Sequence, residues 1–159
     1  IGTGMREMGM QVCLNDIWNR TIANKSRGVR TWVYIDELYV LTQSENCARF
    51  LMYIFKQIRK YGGAPTGITQ NVEDLLSNRE SRGILNNCDF ILMLNQSSED
   101  RQEIGAMLHI SEAQLNYIKN AESGRGLIYT GRGIVPFINR VPQDLGIYKT
   151  ISSNPNETA

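Results

Sequence analysis

The chain has 159 residues, 42% hydrophobic and 21% charged, which suits a folded domain with one core and excludes a disordered chain. The formal net charge is +1, so overall charge gives no argument for nucleic-acid binding, although a local basic patch stays open. Cys13, Cys47 and Cys88 are scattered without metal-ligand spacing and His109 stands alone, which argues against zinc and for buried thiols in a reducing compartment.

Met5 to about Lys25 reads as a helix, with Met8, Val12, Trp18 and Ile22 at near-helical spacing. Lys25-Ser26-Arg27-Gly28 ends it. Thr31 to Ile35 is short, aromatic and β-branched, as expected of a buried parallel strand. A helix over about Ser44 to Tyr61 carries the stripe Phe50, Leu51, Ile54, Phe55 and Ile58, and Gly62-Gly63 stops it. Ala64 to Thr69 is expected as a strand with Pro65 at its beginning.

Short helices are expected over 71–76 and 81–86, then an almost wholly apolar strand, Phe90 to Leu94, covered on both faces. Ser98 to Leu108 and Ser111 to Asn120 read as helices, with Ser111 and Gln114 partly matching a capping box. Gly126 to Thr130 and Ile134 to Phe137 read as a hairpin or two edge strands, Pro136 favouring an edge. The chain is polar beyond Pro142, with 151–159 a polar tail expected to fray from Ser152 to Ala159. No apolar run is long enough for a spanning helix and no secretory leader is read, so membrane contact is expected to be peripheral or through a partner.

Alternating helices and strands imply an open α/β sheet with helices on both faces. Sites in such sheets lie beyond the carboxyl ends of the strands. That rule selects Asp36-Glu37, Gln70-Asn71 and Asn95-Gln96. Val33-Tyr34-Ile35-Asp36-Glu37 has the shape of a Walker B element. Asp36 at the strand tip can hold hydrated magnesium, a cation that prefers hard oxygen ligands. Glu37, pointing elsewhere, can orient a water attacking a terminal phosphate and accept its proton. Two acids opening a helix are equally what the helix dipole and capping favour. Gln70 can sense a γ-phosphate or hold the attacking water; its plain alternative is a hydrogen bond to a neighbouring loop.

Gly2, Gly4 and Gly9 do not make a Walker A loop, because the lysine and the hydroxyl of GxxxxGK[ST] are missing. Gly124-Arg125-Gly126 and Gly131-Arg132-Gly133 suit turns, with their arginines as candidates for phosphate contact.

The run TWVYIDELYVLTQSENCARFLMYIFKQIRKYGGAPTGITQNVEDLL resembles the ATPase domain of VirB4-type proteins, the conjugation ATPases of type IV secretion systems in their Gram-positive mobile-element branch. MREMGMQVCLNDIWNR, ILNNCDFILMLNQ, HISEAQLNYI and GRGLIYTGRGIVPF extend the likeness over roughly residues 2 to 150. The resemblance implies the C-terminal part of a RecA-like P-loop NTPase sheet with helices on both faces, the Walker A segment missing, over residues 1–150. It also implies ATP and Mg²⁺ as cofactors of the intact protein, a homo-hexamer, and a peripheral place at the cytoplasmic face of the cell membrane. The implied partners are secretion-channel proteins and DNA or DNA-protein cargo. Asp36 would be the magnesium-linked aspartate, Glu37 the catalytic glutamate, and Gln70 the glutamine of a TQ motif.

Ring ATPases of this kind place arginines across subunit boundaries. Arg59, with Lys60 beside it, is the first candidate and Arg125 the runner-up; the competing role for each is a basic side chain on a helix face or end. The intact parent is expected to be an ATPase. The chain alone, without lysine and amide cradle, is expected to turn over no ATP. Two other readings stand: a noncatalytic interaction module that kept the motor fold, and a related DNA-translocating ATPase.

Overall fold

Turn chemistry fixes where the first helix stops. In the computed structural model, which describes residues 3–70, 72–76 and 79–151, helix α1 spans Thr3–Ser26. Gly28 then takes φ 70°, and the N–H groups of Gly28 and Val29 close back onto the Lys25 and Asn24 carbonyls at 3.0 and 2.9 Å. The buried face of α1 is not the expected one. Met8 and Val12 are exposed, whereas Met10, Leu14, Ile17, Trp18 and Thr21 face inward. That stripe contains a threonine whose hydroxyl donates to Ile17 O at 2.8 Å, so hydrophobicity alone does not reveal it.

The described residues gather into two compact units, Ile1–Asp89 and Phe90–Ala159. In the first, strand β1 (Thr31–Ile35) pairs in parallel with β2 (Gly63–Gly67), Val33 opposite Pro65. Pro65 is therefore mid-strand, not at the start. Thr31 N–H bonds Gly62 O and Ile68 N–H bonds Ile35 O, so the period of two turns Ala64 and Thr66 toward β1 and Pro65 away, where its missing N–H costs no ladder bond. β1 is also half-exposed rather than buried on both faces: Val33 and Ile35 enter the core while Trp32 and Tyr34 stand in solvent.

Between the strands come α2 (Leu38–Thr42), where no element was expected, and α3 (Glu45–Gln57). Ser44 Oγ caps α3 by accepting the Cys47 N–H at 3.4 Å. A 3-10 turn, Ile58–Tyr61, and Gly62 at φ 73° lead into β2. At Gly63 a Cβ would lie 2.3 Å from Ile58 Cγ1, so the strand enters through a gap that only glycine fits. Helices α4 (Val72–Leu76) and α5 (Arg79–Asn86) follow. Leu51, Ile54, Phe55 and Ile58 of the expected stripe are buried with Leu14, Val33, Ile35 and Leu38, each contributing about 1.5–3 kcal/mol. Asn71, expected to open α4, lies outside the described residues.

The second unit holds β3 (Ile91–Met93), β4 (Arg125–Tyr129) and β5 (Ile134–Ile138), antiparallel in the order β3-β4-β5. The expected hairpin is β4–β5, with Pro136 on the edge strand. The ladders thus form two small sheets, one parallel and one antiparallel, rather than one open parallel sheet. Phe90, Leu92 and Leu94 are exposed, so β3 is covered on one face only. Ser97 caps α6 (Ser98–Leu108), and Ser111 with Gln114 completes a capping box on α7 (Glu112–Leu115). A 3-10 turn, Asn116–Ile118, follows. Helix α8 (Gly146–Ile151) lies in the stretch beyond Pro142, where no element was expected; the expected frayed tail from Ser152 lies outside the described residues.

The molecule has a mixed α/β fold consistent with a P-loop NTPase-like core. Cys47 is buried but Cys13 is exposed, against expectation, at an open apolar groove that α1 shares with Tyr34 and Ile35 of β1. Burial and then the charge of Asp89 push the Cys88 thiol up to about 11, which makes it a poor nucleophile. Among the described residues no helix is long and apolar enough to cross a membrane.

Candidate functional site at the strand tips

Two parallel strands end at the same place, so β1 and β2 deliver their following residues to a common tip. The ladder continues one step past the strands: Ile68 N–H bonds Ile35 O and Leu38 N–H bonds Ile68 O, both at 2.8 Å. This clamp fixes the path of Asp36 and Glu37 between them. Asp36 is exposed, and its Oδ1 accepts the Glu37 N–H at 3.0 Å.

Glu37 has φ 49° and ψ 50°, a left-handed conformation for which glycine is the relaxed choice. Holding a long side chain there costs about 1 kcal/mol. It sits at the N-cap of α2, yet its side chain makes no capping hydrogen bond. Helix capping therefore does not account for this glutamate. Across the tip, Gln70 Nε2 donates to Glu37 Oε1 at 2.9 Å. Glu37 Oε2 is buried without a hydrogen-bond partner among the described residues. A buried carboxylate oxygen left unpaired is costly, and such atoms call for an explanation in strain, chemistry or a missing partner.

The structure thus brings Asp36, Glu37 and Gln70 to one place. Arg59 is elsewhere: it sits in the turn before β2, at the amino-terminal foot of the strands, with Asp89 at 3.6 Å. Arg125 belongs to the second unit, where it opens β4 and pairs with Glu122 at 3.6 Å. Its Nε is buried without a hydrogen-bond partner among the described residues, while Glu122 also accepts from Arg140. Asn95 and Gln96 follow β3 in that unit.

One tip residue escaped sequence reasoning. Glu7 Oε1 accepts from Ser44 Oγ at 2.7 Å and Asn46 Nδ2 at 3.0 Å, tying α1 to the start of α3. The Ser44 bond first, then the Asn46 bond, holds its carboxyl below the ordinary glutamate range. Residues so far apart in sequence leave no local signal.

Among the described residues no cluster of three or more His, Cys, Asp or Glu side chains could hold a metal ion by itself, so a cation here would take most of its ligands from elsewhere. Asp36 offers a hard anionic oxygen at the surface, and magnesium commonly takes one or two protein carboxylates with the rest of its shell from phosphate and water. The unpaired Glu37 oxygen suits a water. No GxxxxGK[ST] occurs in the sequence, so these residues do not supply the phosphate cradle.

The mixed α/β fold, with an acid pair after β1 and an amide three residues past the end of β2, is consistent with a P-loop NTPase-like core. Residues 12–131, well over half of the chain, match the TraG P-loop domain model, and the chain belongs to that family. It is similar to the solved structure of VirB4 of Thermoanaerobacter pseudethanolicus, at 33% identity and a TM-score of 0.65. The match covers 71% of this chain and 32% of that one, so the chain spans about a third of that protein's length. No curated protein sequence matches.

Proposed function

We propose that this chain supplies the magnesium-facing and water-activating side of the ATPase site in a VirB4-like type IV secretion motor. The observation that carries it is the Glu37 carboxylate, fixed at Oε1 by Gln70 and left unpaired at Oε2, on a strained backbone beside Asp36. In this reading Gln70 holds Glu37 in one rotamer. Glu37 Oε2 then accepts the proton of a water attacking the terminal phosphate. Asp36 provides the anionic oxygen for magnesium, which when bound with ATP supplies neutralisation of phosphate charge.

The likeness to VirB4 and membership of the TraG family support ATP-driven transfer as the role of the whole protein. The remaining assignments extend that reading. The protein would assemble as a homo-hexamer on secretion-channel proteins at the cytoplasmic face of the membrane and move DNA or DNA-protein cargo. Arg59, away from its own strand tip, would act across a subunit boundary, and Arg125 would contact phosphate.

The test is made on the full-length protein. Glu37→Gln keeps ATP binding and lowers hydrolysis by about 10²–10³-fold, while Asp36→Ala weakens magnesium-dependent binding. Equal loss of ATP binding in both variants overturns the division of labour. The chain by itself turns over no ATP, and turnover abolished by Glu37→Gln contradicts that.

The alternative reading, a noncatalytic interaction module that kept the motor fold, concerns the full-length protein. A full-length protein that binds ATP no better than this chain decides for it.

A further inference from the structure

An open cavity of about 480 Å³ lies between α3 and α5, and three arginines line it. Arg49 comes from α3, while Arg79 and Arg82 stand three residues apart on α5 and so share one of its faces. Glu80, Asn86 and Met52 complete the wall. At Gly83 a Cβ would lie 2.7 Å from Met52 Sδ, so α5 rests directly on that side chain.

The fold does not account for these cations. Arg49 pairs with Glu45 on the surface of α3. Arg82 donates through Nε to Leu76 O at 2.8 Å, which leaves its two terminal nitrogens without a partner among the described residues. Arg79 makes neither a hydrogen bond nor an ion pair among them, and Glu80 beside it pairs with none of the three arginines. Arg79 also opens α5, the end at which a helix dipole favours acids and disfavours cations.

We propose that this cavity binds a small phosphate monoester, with its phosphate on Arg79, Arg82 and Arg49 and a hydroxyl-bearing body turned to Glu80 and Asn86. The inference rests on nothing at the strand tips. Planar guanidinium groups present paired N–H donors that match the oxygens of a phosphate. A carboxylate accepts from hydroxyls, and an amide both donates and accepts. Glu80 would repel the far end of a bare polyanion, so the donor set selects an anion with an uncharged, hydroxylated end. The volume falls within the range of about 300–1,000 Å³ that small-molecule sites use. Helical walls offer no strand edge to an extended peptide, and one recess is not the track of cations that a nucleic-acid backbone follows.

The test is an NMR titration of the chain with ribose phosphate, beside inorganic phosphate, sulfate and a polyglutamate peptide. Ribose phosphate is expected to shift the backbone amides of α5 and to half-saturate at about 1 mM or below. Arg79→Gln weakens that binding about tenfold. Its thermal unfolding is unchanged or slightly raised, because a cation leaves the first turn of a helix. Glu80→Ala erases the preference for ribose phosphate over inorganic phosphate. Arg30→Gln, at an exposed arginine outside the cavity, changes nothing. No saturating shift by ~10 mM, sulfate bound as tightly as ribose phosphate, or equal weakening by Arg30→Gln overturns the proposal. Tighter binding of polyglutamate overturns it in favour of an acidic protein segment. Inorganic phosphate bound as tightly as ribose phosphate by the native chain overturns the place given to Glu80 and Asn86.

Discussion

The two ends of the β1–β2 pair use the left-handed backbone region in opposite ways. At the foot the residues with positive φ are Gly28 and Gly62, which adopt it without strain. At the tip the residue is Glu37, which does not. The foot is shaped by what packs there, down to a Gly63 that no side chain could replace. The tip keeps a charged side chain in a conformation and with an unpaired oxygen that stability alone would not select. The difference teaches that packing accounts for the foot and not for Glu37 at the tip.

The largest expected effect tests the foot. Gly63→Val drives a branched side chain into Ile58 and Thr21, and loses about 3 kcal/mol in urea unfolding. A loss below about 1 kcal/mol means that the 3-10 turn yields and the foot is not rigid. At the tip, Gln70→Ala removes the amide that fixes Glu37 Oε1. In the full-length protein, hydrolysis falls about 10- to 100-fold while ATP affinity holds, because orientation rather than binding is lost. A pure rise in KM in steady-state kinetics assigns Gln70 to nucleotide binding instead.

Much of this comparison was legible in the sequence. The Val33-Tyr34-Ile35-Asp36-Glu37 order marked a strand tip, and the Gly28 and Gly62-Gly63 stops hold, because turn chemistry is local. The Leu51–Ile58 stripe also holds, since a strongly amphipathic helix has one way to bury its apolar face. Three things were not legible. The face of α1 could not be read because Met8 and Val12 compete with Met10, Leu14 and Ile17 for the apolar side. Coverage of β1 and β3 failed because an apolar sequence does not say what lies against it: Trp32, Tyr34 and Leu92 are exposed. The left-handed Glu37 and the Glu7–Ser44 tie depend on contacts that no spacing encodes.

A smaller effect sharpens the tip. Glu37→Gly releases the backbone strain and removes the unpaired buried oxygen, against a greater loss of chain entropy on folding. The net expectation is a gain of about 0.5–1 kcal/mol in urea unfolding, with hydrolysis abolished in the full-length protein. A destabilised variant means that the Gln70 bond holds the tip together more than the strain opposes it.

The smallest effect is a pH dependence at the same end. Folding lowers the Glu7 carboxyl below its ordinary value of 4.5, through the Ser44 hydroxyl first and the Asn46 amide second. The folded state therefore favours the ionised form, and the unfolded chain takes up the proton at higher pH. Its contribution to stability is complete above the unfolded value and is lost as pH falls below about 4.5 through the folded one. Because Glu7 lies near the surface, half-buried, the effect is slight and screened by salt. Glu7→Gln is expected to unfold at a slightly lower temperature than the native chain at neutral pH and to converge on it in acid. Parallel curves across that range mean that the link between α1 and α3 does not depend on the charge of Glu7. The tip would then be held by packing, as the foot is.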